Sequence, residues 1–123
     1  MGTRLAKYMY DTYKKLKNWK QYVQLVSRAV RDVLGDGVEV YVFGGAAENR
    51  LTSLSDIDVA VVLPYEPSPE ERLRLKQDIL IRAMDEYGLP WDYPIELHVV
   101  GPERFREIKR YSKVIRVWPE DGG

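Results

Sequence analysis

Over the first 36 residues the apolar positions recur every three to four places. Leu5, Tyr8, Met9, Thr12 and Leu16 form one series; Trp19, Tyr22, Val23, Val26, Ala29, Val30, Val33 and Leu34 form a stronger one. That spacing predicts helix. Asn18 followed by Gln21 predicts a capping box that starts a second helix, the alternative being one helix running through. Gly-Asp-Gly at 35–37 stops the pattern, with Gly35 as a left-handed cap. The period then shortens to two. "VEVYVF" (38–43) alternates and is rich in β-branched and aromatic residues, which predicts a strand. Residues 44–55 predict a turn or short helix plus loop, and "DIDVAVVL" (56–63) a second strand that Pro64 ends. Ser68, Pro69 and Glu71 supply an N-cap, a proline at the first helical position and a capping-box acid. The helix they start places Leu73, Lys76, Ile79, Leu80, Ala83, Met84 and Tyr87 on one face and ends at Gly88. A third strand follows at 93–100. Gly101-Pro102 opens a short helix with Phe105 and Ile108 inward, 113–118 reads as a short edge strand, and 119–123 as a frayed tail. This order predicts an α/β (α+β) fold: a small mixed sheet flanked by helices, in a single domain over residues 1–123. Its parts are a helical segment (1–36), a core (38–100) and a closing segment (101–123).

Composition narrows the class. Hydrophobic residues make up 45% and charged residues 31%, the balance of a soluble globular chain rather than a disordered one. The apolar runs are of strand length, too short to span a bilayer, and the N-terminus has no apolar core of a signal peptide. With no cysteine there is neither disulfide nor thiolate metal site. The expectation is a cytoplasmic protein. Five Asn and Gln against 38 charged residues point to a thermophile. The net charge is zero but uneven. Lys and Arg outnumber Asp and Glu eight to three over 1–36, fall to five against twelve over 37–101, and lead six to four thereafter. An acidic middle between basic ends suits a metal site for a polyanionic ligand, and suits solvated helix faces equally.

The acidic middle contains an oddity. Asp56 and Asp58 stand at the head of an apolar strand. A period of two puts both side chains on one face, roughly 6–7 Å apart, with Ile57, Val59 and Val61 on the other, toward the core. Parallel carboxylates repel unless a cation sits between them, and Mg²⁺ takes oxygen ligands and shares substrate phosphates. Glu96 is a lone carboxylate between Ile95 and Leu97. If its strand lies beside 56–63 it joins the same face, and three carboxylates suffice for a two-metal site acting on a phosphoryl-type displacement. Gly44-Gly45 leaves the preceding strand, where backbone N–H groups can approach a phosphate closely; a plain tight turn is the other reading.

Strand, Gly-Gly, ten residues, "SDIDV" and a later apolar-Glu-apolar strand together resemble the nucleotidyltransferase superfamily of polymerase-β-like fold, and its minimal members in size. The resemblance covers residues 38–100. It implies that Asp56, Asp58 and Glu96 are the catalytic and metal-binding residues, and that Mg²⁺ or Mn²⁺ is the ion. Gly44, Gly45, Ser55 and Arg50 would serve the nucleoside triphosphate, with ATP expected. Two departures weaken nucleotide affinity: Gly45 stands where the family often has Ser, and Arg50 is the only base in a loop that is Arg-rich in many minimal members. His98 lies two residues after Glu96 on the same face, with no family counterpart; it touches nucleotide or substrate, or it has no role in the site.

The implied activity is transfer of a nucleoside monophosphate to an acceptor hydroxyl with release of pyrophosphate. The alternative is an antitoxin-like or regulatory binding subunit; a D-x-D glycosyltransferase needs a longer chain. Tyr8, Tyr10, Tyr13, Trp19 and Tyr22 interleave with Lys7, Lys14, Lys15, Lys17 and Lys20, more aromatic surface than one helix face can bury. That surplus favours self-association or a protein partner over nucleic acid. The resemblance implies a small helical HEPN-type protein, as in toxin–antitoxin-like modules.

Overall fold

The computed structural model describes residues 3–120. In chain order the elements are α1 (Thr3–Lys17), α2 (Trp19–Leu34), β1 (Glu39–Phe43), β2 (Ile57–Val62), α3 (Pro69–Tyr87), β3 (Ile95–Val100), α4 (Pro102–Tyr111) and β4 (Val114–Trp118). The four strands form one mixed sheet in the order β3-β2-β1-β4. β1 runs antiparallel to β2 and to β4, while β2 and β3 are parallel, joined through α3. The α+β arrangement expected from the sequence, a small mixed sheet flanked by helices, is therefore present, with Val114–Trp118 as an edge strand. Residues 121–123 of the expected frayed tail lie outside the described residues.

The two faces of the sheet are covered unequally. Val40, Val42, Ile57, Val59, Val61, Leu97 and Val99 point to one face and pack against α2 and α3 through Val23, Val26, Val30, Leu75, Ile79 and Ala83. The opposite face carries a smaller cluster, in which Ala60, Val62 and Val100 meet Phe105 and Ile108 of α4. α4 thus covers the C-terminal halves of β2 and β3 and, through Phe105 against Tyr41, part of β1. The N-terminal halves of that same face carry Asp58 and Glu96, and His98 follows at the level of Ala60. Glu66 fixes where α4 starts, because its carboxylate accepts the Glu103 N–H at 2.7 Å, favourable for an acid at a helix N-terminus.

Local signals explain the helix limits. The Ser68 hydroxyl accepts the Glu71 N–H at 3.1 Å with Pro69 in the first turn, and Gly88 closes α3 in the left-handed conformation. Three expectations are corrected. The Asn18 side chain makes no capping bond; the Gln21 N–H goes to the Asn18 carbonyl instead, so α1 and α2 are separated by that single turn residue. Gly35 has φ 82° but ψ −174°, a positive-φ conformation open to glycine but outside the left-handed helical well. Leu73 is 58% exposed, and the buried row of α3 is Leu75, Ile79 and Ala83, one turn apart.

On the outer side of the α2–α3 pair, one carboxylate joins the helices. Asp32 accepts from the Tyr87 hydroxyl at 2.6 Å and from Arg82 Nε at 2.9 Å. Those two hydrogen bonds, Tyr87 first, hold its carboxyl below the ordinary value of 3.8. A lowered folded-state value means stability that is complete above 3.8 and lost as pH falls through the folded value. Asp32→Asn should therefore be less stable than wild type at pH 7, with the difference vanishing as both proteins are acidified below that range. Thermal melts of the pair across acid pH check this.

Candidate active site

β2 and β3 pair in parallel with Asp58 directly opposite Glu96 and Ala60 opposite His98. This register brings Asp58, Glu96 and His98 together: each offers one ligand atom, and all three atoms lie within 4.8 Å of one another. His98 Nε2 is 3.2 Å from Asp58 Oδ1 and 3.8 Å from Glu96 Oε1. The imidazole also stands against the Phe43 ring, with centroids 5.0 Å apart. Two carboxylates whose ligand oxygens lie within 4.8 Å of each other repel by about 3–4 kcal/mol at an effective dielectric of ~20, more than an exposed ion pair returns. A dication between them reverses that sign. The donor set, two carboxylates and one imidazole on a half-open face, fits a divalent ion, and oxygen-rich sites of this kind accept Mg²⁺ or Mn²⁺.

Asp56 stands at the mouth of the strand, outside the trio whose ligand atoms lie within 4.8 Å of one another. It precedes the first residue of β2, whose N–H bonds to the Pro94 carbonyl at 2.8 Å, and it is exposed. It lines a separate cavity of about 380 Å³ with Tyr8, Asp11, Lys15, Asp92 and Tyr93. Tyr93 anchors that wall: its hydroxyl donates to the Lys15 carbonyl at 3.1 Å and its ring stacks on Tyr22 at 4.1 Å. Burial, then the neighbouring Tyr22, pushes its phenol above the ordinary range, so Tyr93 stays neutral at any physiological pH.

The Gly-Gly turn serves the carboxylates first. Gly44 has φ 70°, and a Cβ there would stand 2.7 Å from Asp58 Oδ2. Glycine at 44 thus leaves the space that the Asp58 carboxylate occupies. The Gly44 N–H donates to Ser112 Oγ at 2.8 Å rather than pointing to open solvent. Ser112 lies at the α4–β4 junction and was not singled out in the sequence; a contact between positions 68 apart leaves no local signal. At Gly45 an added Cβ would meet nothing nearer than 3.8 Å. Arg50 pairs with Glu48 at 3.1 Å and is largely exposed. The Ser55 hydroxyl accepts the Thr52 N–H at 2.9 Å, folding the loop that leads to Asp56, and Ser55 borders the same cavity as Asp56.

The two glycines should therefore respond oppositely to a methyl group. Gly44→Ala is expected to cost about 1–3 kcal/mol, from the positive φ and the collision with Asp58. Gly45→Ala should stay within about 1 kcal/mol of wild type. Chemical denaturation of both variants checks the contrast.

Comparison with known proteins agrees with this geometry. The family model described as "Nucleotidyltransferase domain" matches residues 14–118. No curated protein matches the chain. Among solved structures, a candidate nucleotidyltransferase from Sulfolobus solfataricus superposes with a TM-score of 0.58 at 18% identity, over 94% of this chain and 91% of that one. A second candidate nucleotidyltransferase superposes with a TM-score of 0.52 at 22% identity, over 76% of this chain and 95% of the other. Likeness at that identity speaks for the fold, whereas the family match spans the Gly-Gly turn, both aspartates, Glu96 and all four strands, and on it the chain belongs to the nucleotidyltransferase domain family.

Proposed function

We propose that the protein is a divalent-metal-dependent nucleotidyltransferase that moves a nucleoside monophosphate from a nucleoside triphosphate, ATP first among them, to an acceptor hydroxyl. The observation that carries this reading is the parallel register that faces Asp58 with Glu96 on the uncovered part of the sheet. Asp58 and Glu96 hold the ion, with Asp56 at the strand mouth as the third carboxylate. Bound there, Mg²⁺ or Mn²⁺ supplies charge neutralisation at the reacting phosphate and acidifies the attacking hydroxyl. The acceptor oxygen bonds to the α-phosphorus, the α–β bridging P–O bond breaks, pyrophosphate leaves, and the hydroxyl proton departs to water through the open face. The Gly44–Arg50 turn borders the triphosphate. Its Gly44 N–H and Arg50 guanidinium are already engaged by Ser112 and Glu48, which supports weak nucleotide binding, on the order of micromolar to millimolar.

That same engagement favours a second reading, a regulatory or antitoxin-like subunit that keeps the fold with little catalysis. A transfer assay with α-labelled triphosphates, Mg²⁺ or Mn²⁺ and a panel of acceptors separates the two. The first reading expects pyrophosphate release that drops at least about 100-fold in Asp58→Asn and in Glu96→Gln. Wild-type protein that binds a partner yet releases no pyrophosphate with any acceptor would favour the second.

The reading extends to surroundings. Among the described residues no helix is long and apolar enough to cross a membrane; a cytoplasmic, heat-adapted protein accords with the composition. The N-terminal helix supports association. On α1 only Leu16 is buried, while Leu5, Tyr8, Met9 and Tyr10 are exposed. Such a surface suits a second copy or a small helical HEPN-type protein. Light scattering of the purified chain, alone and co-expressed with its neighbouring gene product, should show an oligomer or heterocomplex that Leu5→Glu/Tyr8→Glu dissociates without lowering the melting temperature by more than a few degrees.

A further inference from the structure

Beyond the acidic residues, the site contains the chain's single histidine. We propose that His98 is a direct ligand of the bound ion and that it shifts the site's selectivity from Mg²⁺ toward Mn²⁺; this rests on the reading of Asp58 and Glu96 as metal ligands. Two donors bound to one ion at ~2.1 Å stand about 3.0 Å apart at right angles and at most ~4.2 Å apart. The Nε2 separations of 3.2 Å from Asp58 and 3.8 Å from Glu96 fall inside that window. An ion shared between His98 and either carboxylate reaches the imidazole without strand movement.

Placement of the ring is not accidental to the loop or the solvent. His98 sits on β3, two residues from Glu96, so the pleat fixes its direction. The Phe43 ring, tilted 59° to it, flanks it on the β1 side. Its side chain is 27% exposed, the same as that of Asp58, so both line one recess rather than the outer surface. An imidazole nitrogen in place of a third oxygen alters which ion is preferred. Mg²⁺ demands oxygen ligands and sheds water reluctantly, whereas transition-metal ions accept imidazole and follow the Irving–Williams order. Mn²⁺ keeps the taste for carboxylates that Asp58 and Glu96 satisfy and adds tolerance for nitrogen.

The competing role is that His98 only donates an N–H to Asp58 and orients it. Loss of such an outer partner can itself weaken metal affinity 10–100-fold, so affinity alone does not decide. Pulsed electron paramagnetic resonance on the Mn²⁺-loaded full chain does, because nitrogen directly bound to Mn²⁺ imprints a ¹⁴N modulation on the electron spin echo. Wild type should show that modulation, and His98→Ala and His98→Gln should both lack it. Calorimetric titration with Mn²⁺ and with Mg²⁺ should show the ratio of the two affinities falling about tenfold or more in His98→Gln, whose amide oxygen keeps the shape and the hydrogen bond. Wild-type Mn²⁺ without ¹⁴N modulation, or an unchanged affinity ratio in both variants while Asp58→Asn loses metal, overturns the proposal and leaves the carboxylate site standing. Asp58→Asn and Glu96→Gln binding both ions as wild type does would overturn the carboxylate reading itself.

Discussion

Two carboxylates on neighbouring parallel strands, in register and facing the same way, are a standing electrostatic liability. The β2–β3 ladder pairs Asp58 with Glu96, and the same ladder pairs Val59 with Leu97 and Val61 with Val99 on the core face. The repulsion cannot be relieved by slipping the register. A one-residue slip would turn Ile57, Val59 and Val61 out of a core in which each is fully buried. Burial of apolar surface, at ~25 cal/mol per Å², outweighs the charge repulsion and locks it in place. The hydrophobic core thereby holds two like charges within 4.8 Å of each other.

The rest of the fold follows from keeping that spot accessible yet anchored. α4 seals the second face over Ala60, Val62, Val100 and Tyr41, and Glu66 caps it at a fixed start, leaving Asp58 outside this cluster. The far end of α4 returns to the site by a different route. Ser112 accepts the Gly44 N–H, tying the turn after β1 to the α4–β4 junction. Gly44 in turn has no side chain to crowd Asp58. Turn, cover and carboxylate thus form one mechanical unit, and the positive φ of Gly44 is the local condition that lets the three coexist.

Much of this was legible in the sequence because it is local. Period-two alternation in β1, the Ser68-Pro69-Glu71 start of α3, the Gly88 stop and the shared face of Glu96 and His98 all follow from short-range rules. The misplaced parts depend on partners far along the chain. Leu73 and Leu75 are both apolar, and only packing on α2 and the sheet selects Leu75, about 200° around the helix from Leu73. Asp56 stands immediately before the ladder, which begins at Ile57, and borders a cavity walled by α1, a neighbour that strand periodicity does not reveal. The gathering of Asp58, Glu96 and His98 required the identity of the neighbouring strand, which periodicity does not contain.

Asp56 links the mouth of β2 to the N-terminal helix. The cavity that Asp56 lines has α1 as one wall, through Tyr8, Asp11, Thr12 and Lys15, and the loop bearing Ser55 as another. Tyr8 is also among the side chains that α1 leaves exposed, and α1 sends only Leu16 into the core. A helix with so little burial of its own is held chiefly at its C-terminal end, where Tyr93 grips the Lys15 carbonyl and Leu16 and Trp19 are buried. Segments with few buried contacts open at low free-energy cost, so the position of this wall is easily biased by whatever covers it. Any molecule that orders α1 therefore also shapes the space beside Asp56. For the proposed association through α1, the route to the cavity beside Asp56 is short: the exposed face and the cavity wall share the side chain of Tyr8.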